Sequence, residues 1–249
     1  MSAAVRSTAL SLSLDAGAGR EAVSALLTVP SSPPPPLAAF VLAHGAGAGM
    51  THRFMEDLAQ GLAARGIATL RFNFAFIERG GKRPDAPALA HAAVRAAVAE
   101  AARQLPGVPL VAGGKSFGGR MTSQAQAAAP LPGVQALVFV GFPLHPPGKP
   151  GVERAGHLGR VHCPMLFLQG TRDELADLPL LRGVVERLGT RATLAVFDDA
   201  DHAFHVRARV AGRSDAQVLQ ALLDAAAAWI AACVEAPQPA AASAAPGAP

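Results

Sequence analysis

The segment that most restricts what this chain can become is Gly113-Gly114-Lys115-Ser116-Phe117-Gly118-Gly119. It follows an apolar run, Val108 to Ala112, and precedes a helix-compatible stretch, Arg120 to Ala129. A buried extended run that turns into a helix within a few residues brings both elements close together, and small residues are needed where they pass. Residues 114–118 read as Gly-x-Ser-x-Gly, a turn that holds the serine in a strained conformation and pushes its hydroxyl outward. The same letters contain Gly-Lys-Ser, the end of a phosphate-binding loop. That loop requires a glycine at position 109, where this chain has Pro109, and the residues between, Leu110 to Ala112, have the character of a strand. The nucleophile reading is the one the segment favours.

The rest of the chain alternates apolar runs with helical patterns, which predicts a largely parallel sheet covered by helices on both faces. Two early strands are expected at Ala9 to Leu14 and Ala22 to Val29, joined by a turn from Asp15 to Gly19. Beyond the polyproline stretch Pro33 to Pro36, strands follow at Ala38 to Ala43, Ile67 to Phe72, the run before Ser116, Val134 to Val140, Met165 to Leu168 and Ala192 to Phe197. Helices are expected from about His52 to Arg65, Pro87 to Leu105 and Ser214 to Cys233. Residues 1–235 read as one domain. Residues 236–249 contain only Ala, Pro, Ser, Gly and one Gln, a composition that buries no core and predicts disorder.

Composition narrows the function classes. With 51% apolar residues in 249, the chain can bury a sizeable core. Its formal charge of +4 comes from scattered arginines, with no basic stripe of the kind that tracks nucleic acid, so no nucleic-acid partner is expected. Cys163 and Cys233 are too few for a disulfide framework and lack metal-ligand spacing. The N-terminal stretch makes a poor signal peptide, and no segment approaches ~18 uninterrupted apolar residues. The expectation is a cytoplasmic protein with no membrane partner.

A serine hydroxyl is a poor nucleophile at neutral pH and needs an imidazole to take its proton and a carboxylate to orient that imidazole. Both arrive later in the chain, in the order acid then base. The strand from Met165 runs into Gln169-Gly170-Thr171-Arg172-Asp173, and the last strand runs into Asp198-Asp199-Ala200-Asp201-His202. Asp173 and His202 would thus stand at the carboxyl edge of a parallel sheet, where ligands gather. Asp177 is the alternative acid. Asp173 could also cap a helix starting near Glu174. Donors for an oxyanion are expected from the backbone N–H of Phe117, after the serine, and of Ala46 in His44-Gly45-Ala46-Gly47, with Gly45 as the alternative. His44 is expected to shape that loop. Lys115 and Arg120 read as solvated charges or as selectors of an anionic substrate; the segment Phe142 to Pro150 is expected to shape one wall of the cleft, with His145 and Lys149 as candidates for binding. His202 and His205 are three apart in a loop without a third ligand, so neither metal nor organic cofactor is expected.

About eight strands with a nucleophile turn after the fifth is the α/β-hydrolase plan. The connection between the sixth and seventh strands is about two dozen residues with Pro146, Pro147 and Pro150, too short for a lid domain. That predicts an open, shallow cleft suited to small acyl substrates. The chain resembles serine α/β-hydrolases of the dienelactone-hydrolase-like group. More closely, it is similar to the mammalian testis-expressed hydrolase-like family and to its relative, the scaffold subunit of the NSL histone acetyltransferase complex. The matching pieces are His44 to Gly47, Gly114 to Gly119, Gly141 to Lys149, Gln169 to Asp173 and Asp201-His202. The resemblance implies the fold and a Ser116–Asp173–His202 triad, and no substrate. Dienelactone hydrolases use a cysteine where this chain has Ser116. The expected function is hydrolysis of a small ester, thioester or related acyl compound; the alternatives are a non-catalytic interaction module and an acyltransferase using the same triad.

Overall fold

A computed structural model describes residues 5–15, 20–31 and 33–235. Strand β1 (Val5–Asp15) alternates Leu10, Leu12 and Leu14 with serines, and only the leucine face turns inward, as a period of two requires of an edge strand. It pairs antiparallel with β2 (Arg20–Pro30). β3 (Ala38–Ala43) is followed by helix α1 (Arg53–Ala63), and β4 (Ile67–Phe72) by the single turn α2 (Ala75–Glu78) and the long α3 (Pro87–Gln104). β5 (Leu110–Lys115), α4 (Phe117–Ala128), β6 (Val134–Val140) and β7 (Met165–Gly170) come next. α5 (Leu178–Leu188), β8 (Ala192–Phe197), α6 (Ala208–Ala211) and α7 (Asp215–Glu235) complete the order. Residues 16–19 of the expected early turn, and the tail from 236 onward, lie outside the described residues.

The eight strands form one sheet in the order β1-β2-β4-β3-β5-β6-β7-β8, parallel from β4 to β8 and antiparallel at the β1–β2 and β2–β4 pairings. Every residue of β3, β4 and β7 is buried, the signature of strands covered on both sides. One face packs against α3, α4 and α5 through Ala93, Ala97, Met121, Ala125 and Leu181. The other packs against α1 and α7 through Met55, Leu58, Leu62, Val218, Leu222 and Ile230. Each helix presents these at three- or four-residue spacing, so one stripe meets the sheet. α7 is the one described helix long and apolar enough to cross a bilayer by length and composition. Its Asp224 instead accepts from Arg65, in the turn after α1, and its apolar stripe lies on the sheet.

Between β6 and β7 the chain makes only two single 3₁₀ turns, Glu153–Ala155 and Leu158–Arg160, so no lid domain is inserted there. Because β3, β5, β7 and β8 run parallel, the loops after them emerge along one edge. That edge carries His44, Ser116, Asp173 and His202.

Candidate active site

Ser116 is the single residue between β5 and α4, with φ 49° and ψ −114°. Such a conformation is sparsely populated for a residue with a side chain and persists only where the surroundings impose it. The elbow's glycines show what imposes it. A Cβ at Gly114 would stand 2.1 Å from the Ala43 carbonyl oxygen, and one at Gly118 would stand 2.5 Å from those of Ala43 and His44. The end of β3 presses directly against the elbow, and any side chain would force them apart.

The predicted partners converge on Ser116. Ser116 Oγ lies 2.8 Å from His202 Nε2, and His202 Nδ1 lies 2.7 Å from Asp173 Oδ2. An ionised carboxylate only accepts, so Nδ1–H donates to Asp173 and Nε2 is left to accept the serine proton. Asp173 is buried and accepts twice more, from Gln169 Nε2 at 2.5 Å and from the Leu175 N–H at 2.8 Å. Gln169 in turn accepts the Phe142 N–H at 3.0 Å, which ties the acid to the loop after β6. This residue was missed in the sequence. Its signal is a polar side chain at the end of an otherwise apolar buried strand, four residues before the acid.

The loop bearing His202 is held by its own aspartates. Asp201 Oδ1 accepts the N–H groups of Ala203 and His205 at 2.8 and 3.0 Å, while Asp199 pairs with Arg207 and Arg172. His44 is fully buried, donates from Nδ1 to Gly45 O at 2.6 Å and accepts the Phe74 N–H at Nε2. Burial lowers its pKa, so the ring is neutral and shapes the loop beside Ser116. Ala46 lies in the cavity wall with Ser116, and the ideal Cβ of Gly45 is 3.8 Å from Ser116 Cβ. Phe117 N–H is the first of α4, one of the helix-start donors without an intrahelical acceptor.

Three sequence expectations need correction. The helix after Asp173 begins at Leu178, not near Glu174, because Asp173 closes a turn onto Leu175 and Asp177 is the N-cap, accepting from Leu180 N–H. Asp177 therefore has a structural task, and Asp173 is the acid that meets His202. Lys115 is not a solvated charge: its ammonium reaches across to the His202 carbonyl at 2.5 Å, and burial lowers its pKa to about 8. His145 is not free to bind a substrate. It is buried, donates from Nδ1 to Pro146 O and accepts the Asp177 N–H, bracing the acid loop.

A second serine–histidine contact, Ser123 Oγ to His157 Nε2 at 2.7 Å, has different chemistry. Ser123 already donates its proton to Arg120 O, so His157 must be the donor to it. Burial, with Arg120 and Arg160 nearby, pushes the His157 pKa down to about 4, and no carboxylate orients it among the described residues. The pair ties α4 to the 3₁₀ turns. His205 is engaged by Asp215 at 2.7 Å, and no cluster of three or more potential metal ligands occurs among the described residues.

Ser116 opens into a cavity of about 830 Å³. It extends past the Gly45–Ala48 loop to the starts of α1 and α7, so the cleft left by the missing lid is larger than a small acyl group needs. The walls come from helix starts, which a count of residues between strands does not register.

The profile described as "Alpha/beta hydrolase domain" matches residues 36–231. Among solved structures, a serine hydrolase without lid from Xanthomonas campestris superposes with a TM-score of 0.69 at 23% identity, over 90% of this chain and 95% of that one. The esterase domain of a Rhodothermus marinus protein gives 0.68 at 16% identity, over 92% and 99%. Dienelactone hydrolase from Anabaena variabilis gives 0.66 at 21%, over 90% and 97%. At these identities the structures share the fold, and the profile extends the match to sequence along most of the domain. The chain belongs to the α/β hydrolase domain family.

Proposed function

We propose that this protein is a serine hydrolase that cleaves a carboxylic ester, thioester or related acyl compound through an acyl-enzyme on Ser116. The observation that carries this reading is the continuous hydrogen-bonded series from Ser116 Oγ through His202 to Asp173, at 2.8 and 2.7 Å. His202 Nε2 takes the hydroxyl proton as Ser116 Oγ attacks the carbonyl carbon. Asp173 fixes the tautomer and stabilises the imidazolium that forms. The N–H groups of Phe117 and Ala46 receive the oxyanion, each such donor being typically worth ~3 kcal/mol in the transition state. Collapse expels the alcohol or thiol with the proton from His202, and water then repeats the sequence to release the acid. Lys115 and Gln169 hold the base and the acid from behind, which lets the three groups stay in register without substrate.

Descriptions of the superposing structures as serine hydrolase and esterase support the reaction class. The similarity to the testis-expressed hydrolase-like family rests on the segments around Ser116, Phe142, Asp173 and His202 and leaves the acyl group open. The test is covalent labelling by a fluorophosphonate probe, expected to be rapid in the native protein and absent in Ser116→Ala. Folded native protein that does not label would overturn the proposal.

A further inference from the structure

The cavity at Ser116 is larger and more apolar than an acetyl-sized ester needs. Pockets of 300–1,000 Å³ are of the size that enclose whole drug-sized ligands, and this one has about 830 Å³. Its far wall is built from Phe54 and Met55 of α1, Phe204 of the His202 loop, and Ala216 and Leu219 of α7, with Leu175 beside the catalytic edge. Phe54 and Phe204 stack with centroids 6.1 Å apart, so the aromatic part of this wall is held by packing. Phe54, Leu175 and Leu219 are only half-buried: large apolar side chains converge on space that no other described residue fills.

The cations deeper in the same space are engaged: His205 is bound to Asp215 at 2.7 Å, and the Lys115 ammonium is committed to the His202 carbonyl. Arg53, 3.7 Å from Asp57, keeps its side chain 91% exposed and stands at the solvent rim. A carboxylate entering past that rim, toward Phe204 and Leu219, would lose its water without gaining a free cation, which is costly. An uncharged apolar chain would lose only poorly held water.

We propose that this cavity is the binding site for an extended, uncharged alkyl or aryl group of the substrate, so that the enzyme acts on esters with a medium-length apolar chain and disfavours acetyl-sized and carboxylate-bearing ones. The inference rests on Ser116 being the nucleophile, because it is Ser116 that opens into the cavity. The apolar group follows the wall towards Leu219 while the ester carbonyl stays between Ser116 and the Phe117 and Ala46 N–H groups.

The experiment is kcat/KM over p-nitrophenyl esters from acetyl to decanoyl, and over acetates of alcohols of the same lengths. In one of the two series each added methylene is expected to raise kcat/KM about fourfold at first, on the order of a hundredfold by six carbons, before levelling. The p-nitrophenyl hemisuccinate should be cut at least about tenfold more slowly than the butyrate, in line with an uncompensated buried charge. Leu219→Trp should lower the octanoyl-to-acetyl ratio about tenfold by filling the far end. Ala216→Trp, at the exposed start of α7, is the second such variant should the first not fold. Calorimetric binding of the same esters to Ser116→Ala separates the two claims. Chain-dependent binding without turnover in the native protein would support the apolar site and sink the hydrolase reading. Turnover of the acetyl ester with both series flat, and ratios unmoved by either tryptophan, would overturn the apolar site and leave the hydrolase standing.

Discussion

Lys115→Met isolates the cost and the use of the charge buried beside Ser116. The lysine stem remains partly exposed on the cavity wall, while its ammonium end is enclosed. It donates to the His202 carbonyl at 2.5 Å, lies 5.6 Å from the centroid of the Phe204 ring, and is attracted by Asp173 and Asp201. Burial outweighs those attractions and lowers the pKa from 10.5 to about 8. The unfolded chain therefore binds more protons than the folded one between pH 8 and 10.5. Stability from this group must rise with pH across that window, and the penalty is fully present below it. The gap corresponds to roughly 3 kcal/mol as an upper bound, reduced by whatever screening the water on the cavity side provides. Methionine fills similar space and removes the titration, but it also orphans the His202 carbonyl, at about 1–3 kcal/mol. At pH 7 these effects oppose each other, and the two proteins should be of similar stability. Urea unfolding at pH 7, 8, 9 and 10 should then show native stability gaining on the variant by up to about 3 kcal/mol. Activity should fall through kcat, about tenfold or more, because His202 loses its tether, with KM little changed. Parallel stability curves over the whole range, or a variant with unchanged kcat, would refute the reasoning.

Gly118→Ala places a methyl 2.5 Å from two carbonyl oxygens. It should destabilise by about 3 kcal/mol, and if folded should label slowly with the fluorophosphonate probe, since the elbow must open; a normal Tm with normal labelling contradicts the packing described. Asp173→Asn should cut kcat by about 10⁴ by imposing the wrong histidine tautomer. Asp177→Ala should cost about 1 kcal/mol of stability through the lost cap and leave kcat within a few-fold, so the reverse pattern would exchange the two roles.

How much of this site was legible beforehand depends on how far each feature reaches along the chain. The glycines around Ser116 and the strand runs are local, set by backbone sterics and by burial on both faces, and the serine–acid–base order followed from which strands end in glycine and acidic turns. Gln169 and Lys115 were readable as residues but not as supports, because their partners lie elsewhere: Lys115 meets a carbonyl 87 residues away. Asp173 and Asp177 were two acids four apart in the same turn-like segment. Only the start of α5 at Leu178 assigned one to the imidazole and the other to the cap.

By itself, then, the amino-acid order determined a parallel α/β sheet, a strained serine at the end of its fifth strand, and an acid and a base on later strands of the same edge. Tertiary structure decided which acid reaches the histidine, what happens to the lysine beside the serine, and how large the cleft is. The physical reason is the same in each case. Local patterns report whether a backbone turns and whether a side chain avoids water. A cavity of about 830 Å³ is the space left between the start of α1, the start of α7 and the His202 loop. No single segment encodes that space, because it exists only once the two helices are laid on the sheet.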